Sequence, residues 1–173
     1  MHSDIDITGA LPYGNVRKDC HAVKGSSERA IARQGARLAG LVGDDTLIIP
    51  IPGHTGIPTY TLKLARAVSK QAARSGKRVL VFDVLRCRRH QPLYDAKKAG
   101  MDLECIPLEF RFTRSDILGS LRAFRRFGYG VYLLDNVVDT GRTVRAAMEV
   151  VGECRVLAVG DTGAHAGEKE AAA

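Results

Sequence analysis

The sequence predicts an α/β fold: a mainly parallel, doubly wound sheet flanked by helices. Three observations carry that expectation. Short apolar runs recur without polar alternation, at 46–51 (TLIIPI), 78–82 (RVLVF), 130–134 (GVYLL) and 155–159 (RVLAV). Strands buried on both faces read this way. Amphipathic helical stretches separate these runs, and alternating strand and helix implies parallel strands joined by crossovers. Finally, 173 residues suit a single domain whose core folds without covalent or metal staples.

Taken in order, residues 1–25 carry the punctuators Gly9, Pro12, Gly14 and Gly25 and read as loops with one short strand, a candidate hood. Ser26 or Ser27 caps a helix running to about residue 42, with Ile31, Leu38 and Leu41 on its apolar face. The β-branched run at 46–51 is a buried strand that ends in Pro52-Gly53-His54-Thr55-Gly56. A helix over 59–75 turns Leu62, Ala65, Val68 and Ala72 inward, Gly76 stops it, and 78–82 is the next strand. Residues 83–114 are the least regular and read as a flexible loop rich in Arg and Lys, with an apolar patch at 103–110. A basic amphipathic helix covers 115–127. A strand at 130–134 feeds a polar loop, a helix follows at 143–151, and 155–159 is the last strand. The tail, 163–173, has only small and charged residues apart from His165 and reads as disordered.

Apolar residues make up 45% and charged residues 26% of the chain, as in ordinary globular domains. The N-terminus lacks the basic-then-apolar layout of a signal peptide, and no apolar run is long enough to span a membrane. The four cysteines, Cys20, Cys87, Cys105 and Cys154, are scattered without a CxxC pair. They read as structural thiols of a reduced, cytoplasmic protein rather than a disulfide framework or zinc site. The net charge of +7 suits an anionic partner, a phosphorylated small molecule or a nucleic acid.

The most informative string is VYLLDNVVDTGRT at 131–143. It carries a buried strand into an acidic, Gly-containing turn and then a helix. Open α/β sheets bind ligands at the carboxyl ends of strands, where a helix N-terminus holds phosphate. Gly141 permits a tight turn of converging N–H groups, and Thr140 and Thr143 add hydroxyls. Asp135 and Asp139 stand beside this cradle, able to accept hydrogen bonds from hydroxyls or to take a proton. Asp139 also reads simply as a carboxylate near the helix dipole.

This string resembles the phosphoribosyl-pyrophosphate (PRPP) loop of type I phosphoribosyltransferases, in which an acidic pair precedes two apolar residues and a D/T-T-G-x-T/S turn. The resemblance implies that Thr140, Gly141, Arg142 and Thr143 hold the 5-phosphate, mostly through backbone N–H groups. Asp135 and Asn136 would then face the ribose hydroxyls, and Asp139 would lie beside the incoming base as general base. Asn136 departs from the pattern, since the family carries a second acid there. An amide still binds hydroxyls but removes a charge that would favour an oxocarbenium-like transition state.

In the same family a pyrophosphate loop follows the first core strand. Here Gly53, His54, Thr55 and Gly56 occupy that place, with two glycines for close backbone approach. The basic stretch from Arg86 to Lys98 falls where a mobile loop closes over pyrophosphate, with Arg88, Arg89, Lys97 and Lys98 as candidate phosphate contacts. Tyr94 reads either as a base-stacking residue or as packing. No His/Cys/Asp cluster has metal-ligand spacing, so Mg²⁺ is expected to arrive with PRPP, held mainly by substrate oxygens.

The expectation is thus an enzyme that transfers ribose 5-phosphate from Mg-PRPP to a nitrogen nucleophile, a nucleobase or similar heterocycle, and releases pyrophosphate. The hood that selects the acceptor would come from the N-terminal region or from 161–165. The alternative is a non-catalytic binder of PRPP or a nucleotide that regulates something else, with the basic helix (Arg122, Arg125, Arg126) meeting nucleic acid. A homodimer stays open.

Overall fold

The computed structural model describes residues 5–163. Its centre is a parallel sheet with the strand order β1-β8-β7-β3-β4. These strands are β1 (Ile7–Thr8), β3 (Thr46–Pro50), β4 (Val79–Val81), β7 (Gly130–Val138) and β8 (Arg155–Asp161). A further short strand, β2 (Leu11–Pro12), extends the same edge by pairing with β8. Every residue of β3 is buried, as an unalternating β-branched run between two helical layers requires.

Helices cover both faces. On one lie α1 (Tyr13–Lys24), α2 (Glu28–Ala39) and α3 (Thr59–Arg74), packed through Val23, Leu38, Leu64 and Val68 onto Ile48, Leu134 and Leu157. On the other lie α5 (Ile117–Arg126) and α6 (Arg142–Val151), whose Leu121, Val144 and Ala147 meet Ile49, Leu133 and Ala158. Between β4 and α5 the chain forms a flap. It holds an antiparallel pair, β5 (Leu85–Cys87) with β6 (Phe110–Phe112), the short helix α4 (Leu93–Lys98), and a 3-10 turn at Leu103–Cys105.

Several expectations change. Residues 13–24 form a twelve-residue helix rather than loop. Val16, Cys20 and Val23 recur at helical spacing and are buried, and that burial outweighs the absence of a side-chain cap and the presence of Gly14. The irregular stretch at 83–114 is partly ordered into strands and short helices. On α2, Ser27 is the cap and accepts from the Ala30 amide at 3.5 Å, but Leu41 lies past the helix end and is 45% exposed. Leu64, not Leu62, is the fully buried leucine of α3. Strand β7 continues four residues past Leu134, because Asp135, Val137 and Val138 pair with Ala158, Gly160 and Asp161 of β8. Residues 164–173, including His165, lie outside the described residues.

The order of the strands places the site. From β3 the chain leaves through α3 to β4 on one side, and from β7 it leaves through α6 to β8 on the other. The neighbours β3 and β7 therefore flank the point where connections diverge, and a crevice opens there beyond their carboxyl ends.

Candidate functional site

A cleft of about 590 Å³ lies at that point. Its floor is the end of β7 and the turn into α6, from Asp135 to Val144. One wall is the loop after β3 with Pro52, Gly53 and His54, together with Tyr60 of α3. A second wall is α1, through Tyr13, Arg17, His21 and Lys24, and a third is the flap, through His90, Tyr94, Lys97 and Lys98. All three described histidines, His21, His54 and His90, line this one cleft.

At the floor, Gly141 adopts a left-handed backbone (φ 73°) and serves as the N-cap of α6 with no side-chain cap. A residue with a Cβ is strained there. The result is a buried turn that points the first amides of α6, which have no acceptor within the helix, toward the cleft. Thr140 Oγ1 accepts from the Arg142 amide at 3.4 Å. Only the backbone of Arg142 belongs to this cradle. Its guanidinium turns to the flap, donating to the carbonyls of Leu103, Glu104 (3.3 Å) and Ile106 (2.7 Å) and pairing with the Glu104 carboxylate at 3.4 Å.

Asp135 is half-buried on β7. Burial pushes its carboxyl up to about 6, against the opposing pull of the Asn136 and Val137 amides and of Lys24. The Asn136 amide donates to its Oδ1 at 2.7 Å, and among the described residues Asp135 has no ion pair. A carboxylate with spare acceptor capacity, facing a cleft, is equipped for hydroxyls.

Asn136 does something else. Its Nδ2 donates to the Cys20 carbonyl of α1 at 2.8 Å, and the Cys20 thiol reaches back to the Asn136 carbonyl at 3.9 Å. The residue is only 5% exposed, and its Oδ1 is buried without a partner. Position 136 therefore fastens the N-terminal helix to the central strand. Burial, reinforced by Asp19, pushes the Cys20 thiol up to about 11, so it stays protonated as the donor in that clasp.

Asp139 lies just past β7, half-exposed. Lys97 of α4 binds both its oxygens at 2.9 and 3.2 Å, and the Thr162 hydroxyl donates to it at 2.8 Å. The flap thus closes directly on the turn.

The loop after β3 contributes unevenly. Gly53 and His54 line the cleft, whereas Thr55 is exposed and Gly56 is buried under the flap. The Gly53 and Gly56 amides bond within the loop, to Ile57 O at 3.4 Å and Gly53 O at 2.9 Å, so they are not free for a ligand. Gly56 has φ 88°, and a Cβ there would collide with the Cys87 carbonyl. Its own carbonyl accepts from the Cys87 amide at 3.1 Å. Burial, with Lys24, His90 and Arg89 nearby, keeps the His54 imidazole below its usual range, while Asp95 opposes them.

Arg88 and Arg89 stand outside the cleft wall. Arg88 pairs with Glu109 at 3.3 Å across the β5–β6 hairpin, an exposed pair. The flap cations that do line the cleft are Lys97 and Lys98, both carried inward by α4. The residues of α1 were missed by the sequence reading, although Arg17, His21 and Lys24 recur every three or four positions, about 100° around the helix from the buried stripe of Val16, Cys20 and Val23.

Compared with known proteins, the chain matches no family model and no curated sequence. Among the described residues no helix is long and apolar enough to cross a membrane.

Proposed function

We propose that this cleft binds Mg-PRPP and that the protein is a phosphoribosyltransferase-like enzyme of the type I class. It transfers ribose 5-phosphate to a nitrogen nucleophile, a nucleobase or similar heterocycle, with release of pyrophosphate. One observation carries the reading. An uncapped helix N-terminus behind a left-handed glycine, a carboxylate without an ion pair and unneutralised cations converge at one crevice. The 5-phosphate sits on the amides of Gly141 to Val144 with the Thr140 and Thr143 hydroxyls. Asp135 accepts from the ribose hydroxyls. His54, Lys24 and Lys98 face the pyrophosphate end, and Asp139, released from Lys97, meets the acceptor.

Mg²⁺ fits this arrangement through Asp135 and substrate oxygens, since it takes few protein carboxylates when phosphates supply the rest. Among the described residues no group of three His, Cys, Asp or Glu side chains is placed to hold a metal without substrate. Within such a site the chain's work is positioning and charge stabilisation. The floor orients the sugar, the flap excludes water, and the cations stabilise the departing pyrophosphate.

A second reading, a non-catalytic sensor of PRPP or a nucleotide, draws support from Asn136, whose amide is engaged by α1 and leaves a single acid for the ribose. A nucleic-acid role for α5 has less in its favour, because Arg125 is engaged by the carbonyls of Val151 and Glu153 at 2.6 to 3.1 Å. The test is incubation with Mg-PRPP and a panel of bases while pyrophosphate release is followed. Release with one base supports the enzyme, and thermal stabilisation by PRPP without turnover supports the sensor. If neither PRPP nor nucleoside monophosphates raise the melting temperature, the site reading is wrong, because a ligand of the native state must stabilise it.

A further inference from the structure

We propose that the outer face of α3 is a docking surface for the phosphodiester backbone of a nucleic acid. Lys63, Arg66, Lys70 and Arg74 all lie on this helix and are all exposed. At 100° per residue they fall within an arc of roughly 80°, and they span about 16 Å along the axis. Helix α3 contains no acidic residue. None of the four makes an ion pair among the described residues, and the one hydrogen bond from the set runs from Arg74 to the neutral Gln71 at 3.0 Å. Several other surface cations are paired with carboxylates, as at Arg78–Asp45, Arg86–Asp83, Arg88–Glu109 and Arg114–Asp116. The α3 stripe is left uncompensated in a protein that carries a net charge of +7.

The stripe is also rigidly presented. The opposite face of α3 is buried through Leu64, Ala65, Val68 and Ala72, and Ala67 packs closely against Gly35 of α2. A helix that lies on a membrane needs large apolar groups flanking its cations, and none of the exposed large hydrophobics is on α3. A regular row of cations on a helix that carries neither an acidic residue nor an exposed large hydrophobic instead complements a row of phosphates. Such contacts carry no sequence information and depend steeply on salt. The surface is independent of the cleft and of the reading given to it.

The test is fluorescence anisotropy of a labelled random-sequence duplex with the intact protein, at ~50 to 200 mM salt. With four phosphates engaged, the slope of log K against log salt is about −3 to −4. Lys63→Glu with Lys70→Glu lowers affinity at least ~10-fold and flattens the slope by about 2. The control pair Arg122→Glu with Arg126→Glu, on α5, changes affinity less than ~2-fold. The α3 positions are exposed, so the melting temperature stays within a few degrees, and Lys63→Gln with Lys70→Gln gives the same ordering without charge reversal. Absence of binding at low salt overturns the proposal. So does an equal loss from the α5 pair, or equally tight binding to anionic vesicles. Thermal stabilisation by PRPP in the α3 variant reports on the cleft separately.

Discussion

Replacing Asp135 by Asn tests whether a cleft carboxylate is held at the expense of stability. A carboxyl raised from 3.8 to about 6 in the native protein destabilises the fold by at most about 3 kcal/mol once ionised. The side chain is only half-buried, and residual solvation lowers the figure to about 2 kcal/mol. The sign follows from proton binding. Between pH 4 and 6 the native state holds more protons than the unfolded chain, so stability falls as pH rises through this window. Above it the full penalty applies, and below it both states are neutral. Asn is isosteric, is never charged, and its Oδ1 can accept from the Asn136 amide. Asp135→Asn is therefore expected to melt about 4 to 8 °C higher than the wild type at pH 8, at roughly 2 to 4 °C per kcal/mol for a chain of this size. The gain should shrink to nothing by pH 4. Calorimetry of the ligand-free proteins from pH 4 to 8 reads this directly. A pH-independent difference, or a less stable variant at pH 8, would refute the account of the carboxyl. The same variant should lose PRPP-induced stabilisation, which makes it more stable and less functional at once.

Three further outcomes follow from the geometry. Asn136→Asp removes the donor to the Cys20 carbonyl and buries a carboxylate against it, so urea denaturation at pH 7.5 should show a loss of about 2 to 4 kcal/mol, with faster amide exchange over 13–24; an unchanged midpoint would mean the clasp is not formed. Arg142→Ala releases the turn at 103–106, and exchange there should rise while α6 stays protected. Arg142→Lys should not restore protection, because a single ammonium cannot span three carbonyls as the guanidinium fork does. Gly56→Ala should cost more than about 2 kcal/mol, since backbone strain and collision with Cys87 O combine, whereas Gly76→Ala, at φ 75° in open space, should cost only about 1 kcal/mol; equal losses would remove the case for close contact at Gly56.

What the sequence disclosed was what is local in the chain. The strand at 46–51 was legible because five consecutive buried positions leave an unbroken apolar run. The turn at Asp139 to Thr143 was legible because its glycine, its hydroxyls and its helix are contiguous. The end of β7 was not, because Asp135 and Asn136 look like loop residues and only their pairing with β8 keeps them in the sheet. Helix α1 was hidden by Gly9, Pro12 and Gly14, although Val16, Cys20 and Val23 carried its period. The β5–β6 hairpin left a weaker trace in the alternation of Phe110, Arg111 and Phe112. The partners of the site residues were least legible of all. Lys97 is 42 positions from Asp139, and Cys20 is 116 from Asn136. No local pattern reports contacts of that separation.

Those separations bear on how the protein reaches its working form. The cleft's walls come from α1, the loop after β3, the flap and the turn after β7, so they span most of the described chain. The central pairing of β3 with β7 joins residues 84 apart, as at Ile48 and Tyr132. Contacts of such long range form late, since loop closure must precede any gain from pairing. During synthesis the N-terminal helix and the first strand emerge without their partners, and the basic face of α3 is exposed before a cleft exists. Affinity for a small ligand should accordingly appear only when the last strands join the sheet, and no fragment ending before β8 should retain a fraction of it.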